Sequence, residues 1–225
     1  MPLGRTFAIV PAAGSGQRMG GKKQFMQLSG QPLFLWALQT LTGCPGVDGV
    51  VLVVPPGDID SVRGLAGDVS DLQVMAGGCS RQESVWLGLS ALPADTDWVV
   101  VHDAARPLLA EKDLLAVCAA ARSLGAATLA VPVKETVKTA GADGLVRETL
   151  PRENLWSVQT PQAFRYDWLL AAHRRARREG VVAHDDAALL EMDGKPVKLV
   201  SGSYDNIKVT TPEDLLVAGI LMGGK

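Results

Sequence analysis

Apolar residues along the 225-residue chain fall into short continuous runs separated by segments with helical spacing. Phe7 to Val10, Val50 to Val54, Leu72 to Met75, Trp98 to Val101, Thr128 to Val131 and Val197 to Val200 are rich in β-branched side chains and mostly unbroken by polar ones. Runs of that kind suit strands buried on both faces of a parallel sheet. Between them, Phe34, Leu38 and Leu41 recur at i, i+4 and i+7, so Leu33 to Leu41 reads as a helix with one apolar face. Glu83 to Leu92 and Leu114 to Leu124 read similarly, and Pro212-Glu213-Asp214 opens a last helix with Thr211 as its N-cap. Alternating strands and helices predict an α/β fold, a doubly wound and mostly parallel Rossmann-like sheet.

The alternation breaks between about Lys134 and Ser157. Glu135 to Thr139 and Leu145 to Thr149 alternate polar and apolar residues around Gly141-Ala142-Asp143-Gly144, the pattern of a polar β-hairpin. A two-stranded ribbon is marginal alone. This one therefore packs against a partner subunit, covers a site, or stands as exposed decoration. With no repeat, low-complexity tract or linker, residues 1–225 read as one domain with a protruding arm at about 134–157.

Composition narrows the chemistry. Hydrophobic residues make up 47% and charged residues 20%, as in ordinary globular proteins. A formal net charge of −2 gives no footprint for polymeric nucleic acid, so any anion must be held by a local cluster. Cys44, Cys79 and Cys118 are scattered, which argues against disulfides and a zinc site and favours a cytoplasmic protein. No apolar run approaches the roughly 18 residues of a membrane helix.

Four clusters carry candidate chemistry. The first is Val10-Pro11-Ala12-Ala13-Gly14-Ser15-Gly16-Gln17-Arg18-Met19, followed by Lys22 and Lys23. Small residues after a strand let backbone N–H groups lie against a polyphosphate, with cations beside it. It is not a dinucleotide fingerprint, since Met19 replaces the third glycine, and it lacks the Gly-Lys-Ser/Thr ending of a P-loop. The second is His102-Asp103-Ala104-Ala105-Arg106-Pro107 at the end of an apolar strand, where ligands of α/β sheets sit. Its Asp can hold a divalent cation and its Arg a phosphate; the plain alternative is a buried Asp–Arg pair. The third is Gly77-Gly78-Cys79-Ser80-Arg81-Gln82-Glu83-Ser84, able to close over a base or merely to start a helix. The fourth, Asp205 to Asp214, carries Lys208 on a late segment, which reaches the same site or lies in solvent. The basic run His173 to Arg178 reads as the solvated end of a helix rather than a nucleic-acid patch.

Taken together and in order, these motifs, with Thr160-Pro161-Gln162, resemble the IspD-type cytidylyltransferases nearly end to end. The resemblance implies transfer of CMP from CTP to 2-C-methyl-D-erythritol 4-phosphate, with release of pyrophosphate and use of Mg2+, in non-mevalonate isoprenoid biosynthesis. It implies that Arg18, Lys23 and Lys208 stabilise charge during transfer, and that Pro11, Ala12, Ala13, Gly14, Gly78 and Ser84 hold the nucleotide. Asp103 and Arg106 would face the sugar phosphate, with Asp103 also at the metal. Thr136, Arg152 and Thr160 would serve a second subunit's site through the arm of a homodimer. A cytidylyltransferase for another polyol phosphate, such as ribitol 5-phosphate, shares this logic and is the alternative. Cys79, where relatives often carry Asp, and His184, where Thr is usual, depart from the family pattern, and the segment from Met19 to Lys23 is shorter than in some relatives.

Overall fold

The structure is a computed structural model in which residues 4–14 and 25–223 are described. Its centre is a seven-stranded sheet ordered β11-β7-β10-β6-β1-β4-β5. These strands are β1 (Arg5–Pro11), β4 (Gly49–Val54), β5 (Leu72–Ala76), β6 (Thr96–Val101), β7 (Ala126–Pro132), β10 (Trp156–Arg165) and β11 (Lys198–Ser201). All neighbours are parallel except β10, which runs antiparallel to both β6 and β7. Every apolar run expected to be a strand is one.

Successive residues of these strands feed two separate cores, as the alternating direction of strand side chains requires. Ala8, Val10, Leu52 and Val100 pack under α1 (Leu33–Thr42), α2 (Ile59–Ala66) and α4 (Glu111–Leu124). Ile9, Val51, Val53, Val99 and Val101 pack under α3 (Arg81–Ala91), α5 (Tyr166–Glu179) and α6 (Asp186–Glu191). The sheet is thus covered on both faces, which is why the apolar runs of β1, β4 and β6 are unbroken. Helix α4 stops at Gly125, whose φ of 102° lies in the left-handed region that favours glycine.

Three elements differ from the sequence reading. Strand β10 carries Gln159, Thr160, Pro161 and Gln162, residues that argue against a central strand. It is central all the same, because its register shifts between Val158 and Gln162 and the polar side chains bond inward. Helix α2 is short and fully buries only Val62, with Ile59 and Ala66 of the same face half-buried against the core. The basic run of α5 is not wholly solvated either: His173 is fully buried, on the same face as Leu169, Ala172 and Ala176.

The arm forms as expected. Among the described residues, strands β8 (Val137–Ala140) and β9 (Val146–Leu150) pair only with each other, around a turn in which Gly144 N–H donates to Gly141 O. A short ribbon, β2 (Gln27–Leu28) with β3 (Gln31–Pro32), precedes α1. The last helix, α7 (Pro212–Gly223), is capped reciprocally. Thr211 Oγ1 accepts from Asp214 N–H, and Asp214 Oδ2 accepts from the N–H groups of Thr210 and Thr211.

Candidate active site

A cavity of about 330 Å³ lies at the carboxyl ends of β1, β5 and β6, the position the fold favours for ligands. It is lined by Pro11, Ala12, Ala13 and Gly14 after β1, by Gly78 to Arg81 and Ser84 around the start of α3, and by Asp103 to Ala105 after β6. Lys208 and Leu33 complete it. Residues from five separate parts of the sequence therefore meet in one place. Arg18 and Lys23 lie outside the described residues.

The β5–α3 turn is built for close approach. A Cβ on Gly77 would come within 2.5 Å of Ala13 Cβ and 2.9 Å of Ser84 Oγ, so a side chain there would push the two walls apart. Ser80 caps α3 by accepting from Glu83 N–H at 3.0 Å. Ser84 is buried; its hydroxyl donates to Ser80 O at 2.9 Å and accepts from Gly78 N–H at 3.2 Å. With its hydrogen committed, Ser84 offers the cavity one acceptor lone pair and no donor. Cys79 is exposed, and its backbone N–H and thiol both meet Glu83 Oε2, at 2.8 and 2.9 Å. The hydrogen bond to Glu83 pushes the thiol up from its ordinary value, so it stays protonated.

Charge concentrates on Asp103. Its Oδ2 lies 2.6 Å from Lys208 Nζ and its Oδ1 2.9 Å from Arg81 Nε. Burial alone would raise this carboxyl, but the Arg81 and Lys208 charges outweigh it and hold Asp103 well below the usual carboxylate range. Beneath it, the buried His102 ring bridges Thr160 Oγ1 at Nδ1 and Arg106 O at Nε2, each 3.1 Å away. Asp103 N–H donates to Thr160 Oγ1. Because Arg106 O can only accept, the ring proton sits on Nε2, and Nδ1 accepts the Thr160 hydroxyl hydrogen. Burial pulls the imidazole down to about 4, so it is neutral and acts as a brace.

Lys208 is set by its neighbours. Val209 N–H donates to Ala105 O at 2.8 Å, and the buried Asn206 side chain donates to Gln159 Oε1 and Thr160 O. Arg106 does not line the cavity. Its Nη1 donates to Asn206 O at 2.7 Å, while its Nε is buried without a hydrogen-bond partner among the described residues.

Thr136 and Arg152 are not brought to this cavity. Thr136 is exposed at the root of the arm, and Arg152 Nη1 donates to Lys134 O across that root. Thr160, expected to act with them across a dimer, is buried and bonded to His102 and Asp103 of its own chain. It belongs with the wall under Asp103, because the register shift in β10 turns it inward. Sequence reasoning gave no role to the ion pairs of Arg81, whose second carboxylate is Asp186. The Gly-Gly-x-x-Arg spacing was a signal for the arginine, but nothing local joins it to a residue 105 positions away.

The family described as IspD, 2-C-methyl-D-erythritol 4-phosphate cytidylyltransferase, matches residues 6–224. The chain belongs to that family. Over 222 residues it is 52% identical to the 2-C-methyl-D-erythritol 4-phosphate cytidylyltransferase of Pelotomaculum thermopropionicum, spanning 96% of this chain and 93% of that one. Its fold is similar to the crystal structure of the 4-diphosphocytidyl-2C-methyl-D-erythritol synthase of Anaerococcus prevotii, with a TM-score of 0.89, 29% identity and coverage of 98% and 99% of the two chains. The Thermus thermophilus 2-C-methyl-D-erythritol 4-phosphate cytidylyltransferase structure superposes with a TM-score of 0.80 at 32% identity, over 96% of this chain and 98% of that one.

Proposed function

We propose that this cavity transfers CMP from CTP to 2-C-methyl-D-erythritol 4-phosphate, giving 4-diphosphocytidyl-2-C-methyl-D-erythritol and pyrophosphate for isoprenoid biosynthesis. A phosphate oxygen of the sugar alcohol attacks the α-phosphorus; the new P–O bond forms as the bond to the β-phosphate breaks. The attacking oxygen is already ionised, so no general base is needed. Two anions must be brought together, and neutralising their charge at fixed geometry is most of the task. Family membership with nearly complete coverage carries this reading.

The residue roles follow from what each group has left to offer. Backbone of Pro11, Ala12, Ala13 and Gly14 wraps the nucleotide, and Arg18 and Lys23 act on the α-phosphate and the departing pyrophosphate. Ser84, an acceptor only, suits the exocyclic amino group of cytosine and is mismatched to the carbonyl of uracil. Asp103, compensated by two cations, can accept from polyol hydroxyls without repelling a phosphate dianion. Arg106, which does not line the cavity, serves the sugar-phosphate side indirectly, by holding the Asn206 backbone two residues before Lys208.

Asp103 is the one carboxylate among the described residues lining the cavity, and no group of three or more metal-ligating side chains occurs among the described residues. That donor set fits an Mg2+ ion carried mainly by triphosphate oxygens and water, with Asp103, whose oxygens are both paired with cations, meeting it through a bound water. When bound, the ion would neutralise phosphate charge and polarise the phosphoryl oxygens.

Residues 1–225 form one cytidylyltransferase domain in this reading, and the arm pairs two copies so that Thr136 and Arg152 reach the other copy's cavity. Neither lines the cavity of its own chain, and Leu145 and Val146 are exposed at the arm tip; both facts support it. The cytoplasmic location expected from the scattered cysteines is part of the same proposal. The deciding assay follows CTP-dependent pyrophosphate release with methylerythritol phosphate and ribitol 5-phosphate in parallel. Faster turnover of ribitol 5-phosphate overturns the assignment.

A further inference from the structure

The charged groups of the cavity do not end at its wall. Arg81 reaches inward as well as outward, with Nη1 2.7 Å from Asp186 Oδ2. Asp186 is buried and does not line the cavity. Its other oxygen lies 3.0 Å from Nε2 of the buried His173, on α5. The second nitrogen of that ring, Nδ1, is buried without a hydrogen-bond partner among the described residues, so the polar contact of the imidazole is Asp186. Lys208, Asp103, Arg81, Asp186 and His173 therefore form one chain of contacts from the cavity to the interior.

Asp186 itself is firmly placed. Asp185 caps α6 by accepting from Ala188 N–H at 2.9 Å, and its other oxygen accepts from Gln162 Nε2 at 2.8 Å. Gln162 Oε1 in turn accepts from Ala187 N–H. Gln82 holds the preceding loop through Val181 O and Ala183 N–H. Burial would raise the Asp186 carboxyl, but Arg81 and His173 lower it, so it is an anion.

We propose that Asp186, steadied by His173, is a positioning residue for the transfer: it anchors the inner end of the Arg81 guanidinium, so that Nε is held on one oxygen of Asp103 while the other faces Lys208. The guanidinium is a planar fork that matches a carboxylate bidentately. With Asp186 present, Arg81 spends Nη1 on it and only Nε on Asp103. Without that anion the guanidinium loses its inner anchor, Nε is no longer held on Asp103 Oδ1, and the carboxylate that aims Lys208 into the cavity loses its own support. The proposal rests on the cavity being the cytidylyltransferase site.

A double-mutant cycle in the full-length enzyme tests it, because a relay is non-additive whereas independent structural damage adds. Asp186→Asn is introduced into the wild type and into Lys208→Ala, with folding checked by circular dichroism and turnover measured at saturating CTP and methylerythritol phosphate. The expected loss is on the order of tenfold in the wild type and less than about twofold in Lys208→Ala. Equal losses in both backgrounds, or no loss in the wild type, overturn the proposal. Should Asp186→Asn fail to fold, His173→Leu and His173→Gln decide. Leu removes the donor to Asp186 and should slow turnover several-fold, while Gln keeps a donor and should restore most of it; equal losses overturn the proposal. Absence of turnover in the wild type overturns the reading of the cavity and the positioning role with it.

Discussion

Lys208 and Asp103, which stand after different strands on the two sides of β10, meet at 2.6 Å on the wall of the cavity. The pair is held from the other side by Arg81, so removing the lysine does not leave the carboxylate alone. Lys208→Ala is therefore expected to fold and to lose about 100-fold in kcat, the usual cost of one preorganised charge partner in a transition state. Steady-state kinetics with calorimetric CTP titration check this. Arg18→Ala and Lys23→Ala should likewise lose turnover far more than CTP affinity. Unchanged kcat in these variants would mean that the cavity binds nucleotide without these cations serving the transfer.

At Gly77, behind the nucleotide wall, an added Cβ would meet Ala13 Cβ at 2.5 Å. Since Ala13 has no side-chain rotamer to move, Gly77→Ala must shift backbone on one side of the cavity or the other. We expect a stability loss of about 1–3 kcal/mol, the range for overpacking, together with a raised KM for CTP. Urea unfolding and kinetics on one preparation suffice, and a variant with wild-type stability and KM counts against the wall geometry.

Ser84 offers a lone pair rather than a hydrogen, which gives it a say in base choice. In Ser84→Ala, the preference for CTP over UTP should narrow about tenfold, within the 1–3 kcal/mol typical of base discrimination. The Gly78 N–H also loses its acceptor in this variant, so CTP binding should weaken overall. Competition assays with the two nucleotides read the ratio directly. An unchanged ratio removes Ser84 from base recognition.

The arm makes a prediction about two chains rather than one. If Arg152 serves the other copy, the defects of Arg152→Ala and Lys208→Ala fall in the same site of a mixed dimer and leave its other site intact. Mixing the two inactive variants should then restore about a quarter to a half of wild-type activity through the sites that retain both residues. No recovery on mixing, with dimers shown by sedimentation, would return Arg152 to its own subunit.

Much of this was legible before the fold was known, for identifiable reasons. Buried parallel strands announce themselves as unbroken apolar runs, and the arm announced itself by switching to alternation. The cavity backbone at Ala12, Ala13 and Gly78 was legible because small residues after strands have few other uses. Strand β10 was hidden because its inward face is polar, satisfied by Thr128, Asn206 and Asp185 from elsewhere in the chain. His173 was hidden by the arginines around it, although the spacing of Leu169, Ala172 and Ala176 marks its face as buried. The partnership of Arg81 with Asp186 depends on three-dimensional proximity alone and left no local trace.

His102 supplies a test that needs no substrate. In the unfolded chain its imidazole takes a proton near its ordinary value of 6.5; in the fold, burial delays protonation to about 4. A lowered folded value means that the stability linked to this group is fully present above pH 6.5 and is lost as pH falls from there to about 4. The difference corresponds to roughly 3 kcal/mol. The Asp103 carboxyl titrates below that window and does not confuse it. His102→Gln can still donate to Arg106 O and accept from Thr160 without titrating, so its stability should fall less steeply than that of the wild type between pH 6.5 and 4.5. Urea midpoints measured across that range compare the two slopes. Parallel slopes would mean that His102 is protonated in the fold, and that the hydrogen bonds assigned to its neutral ring must be redrawn.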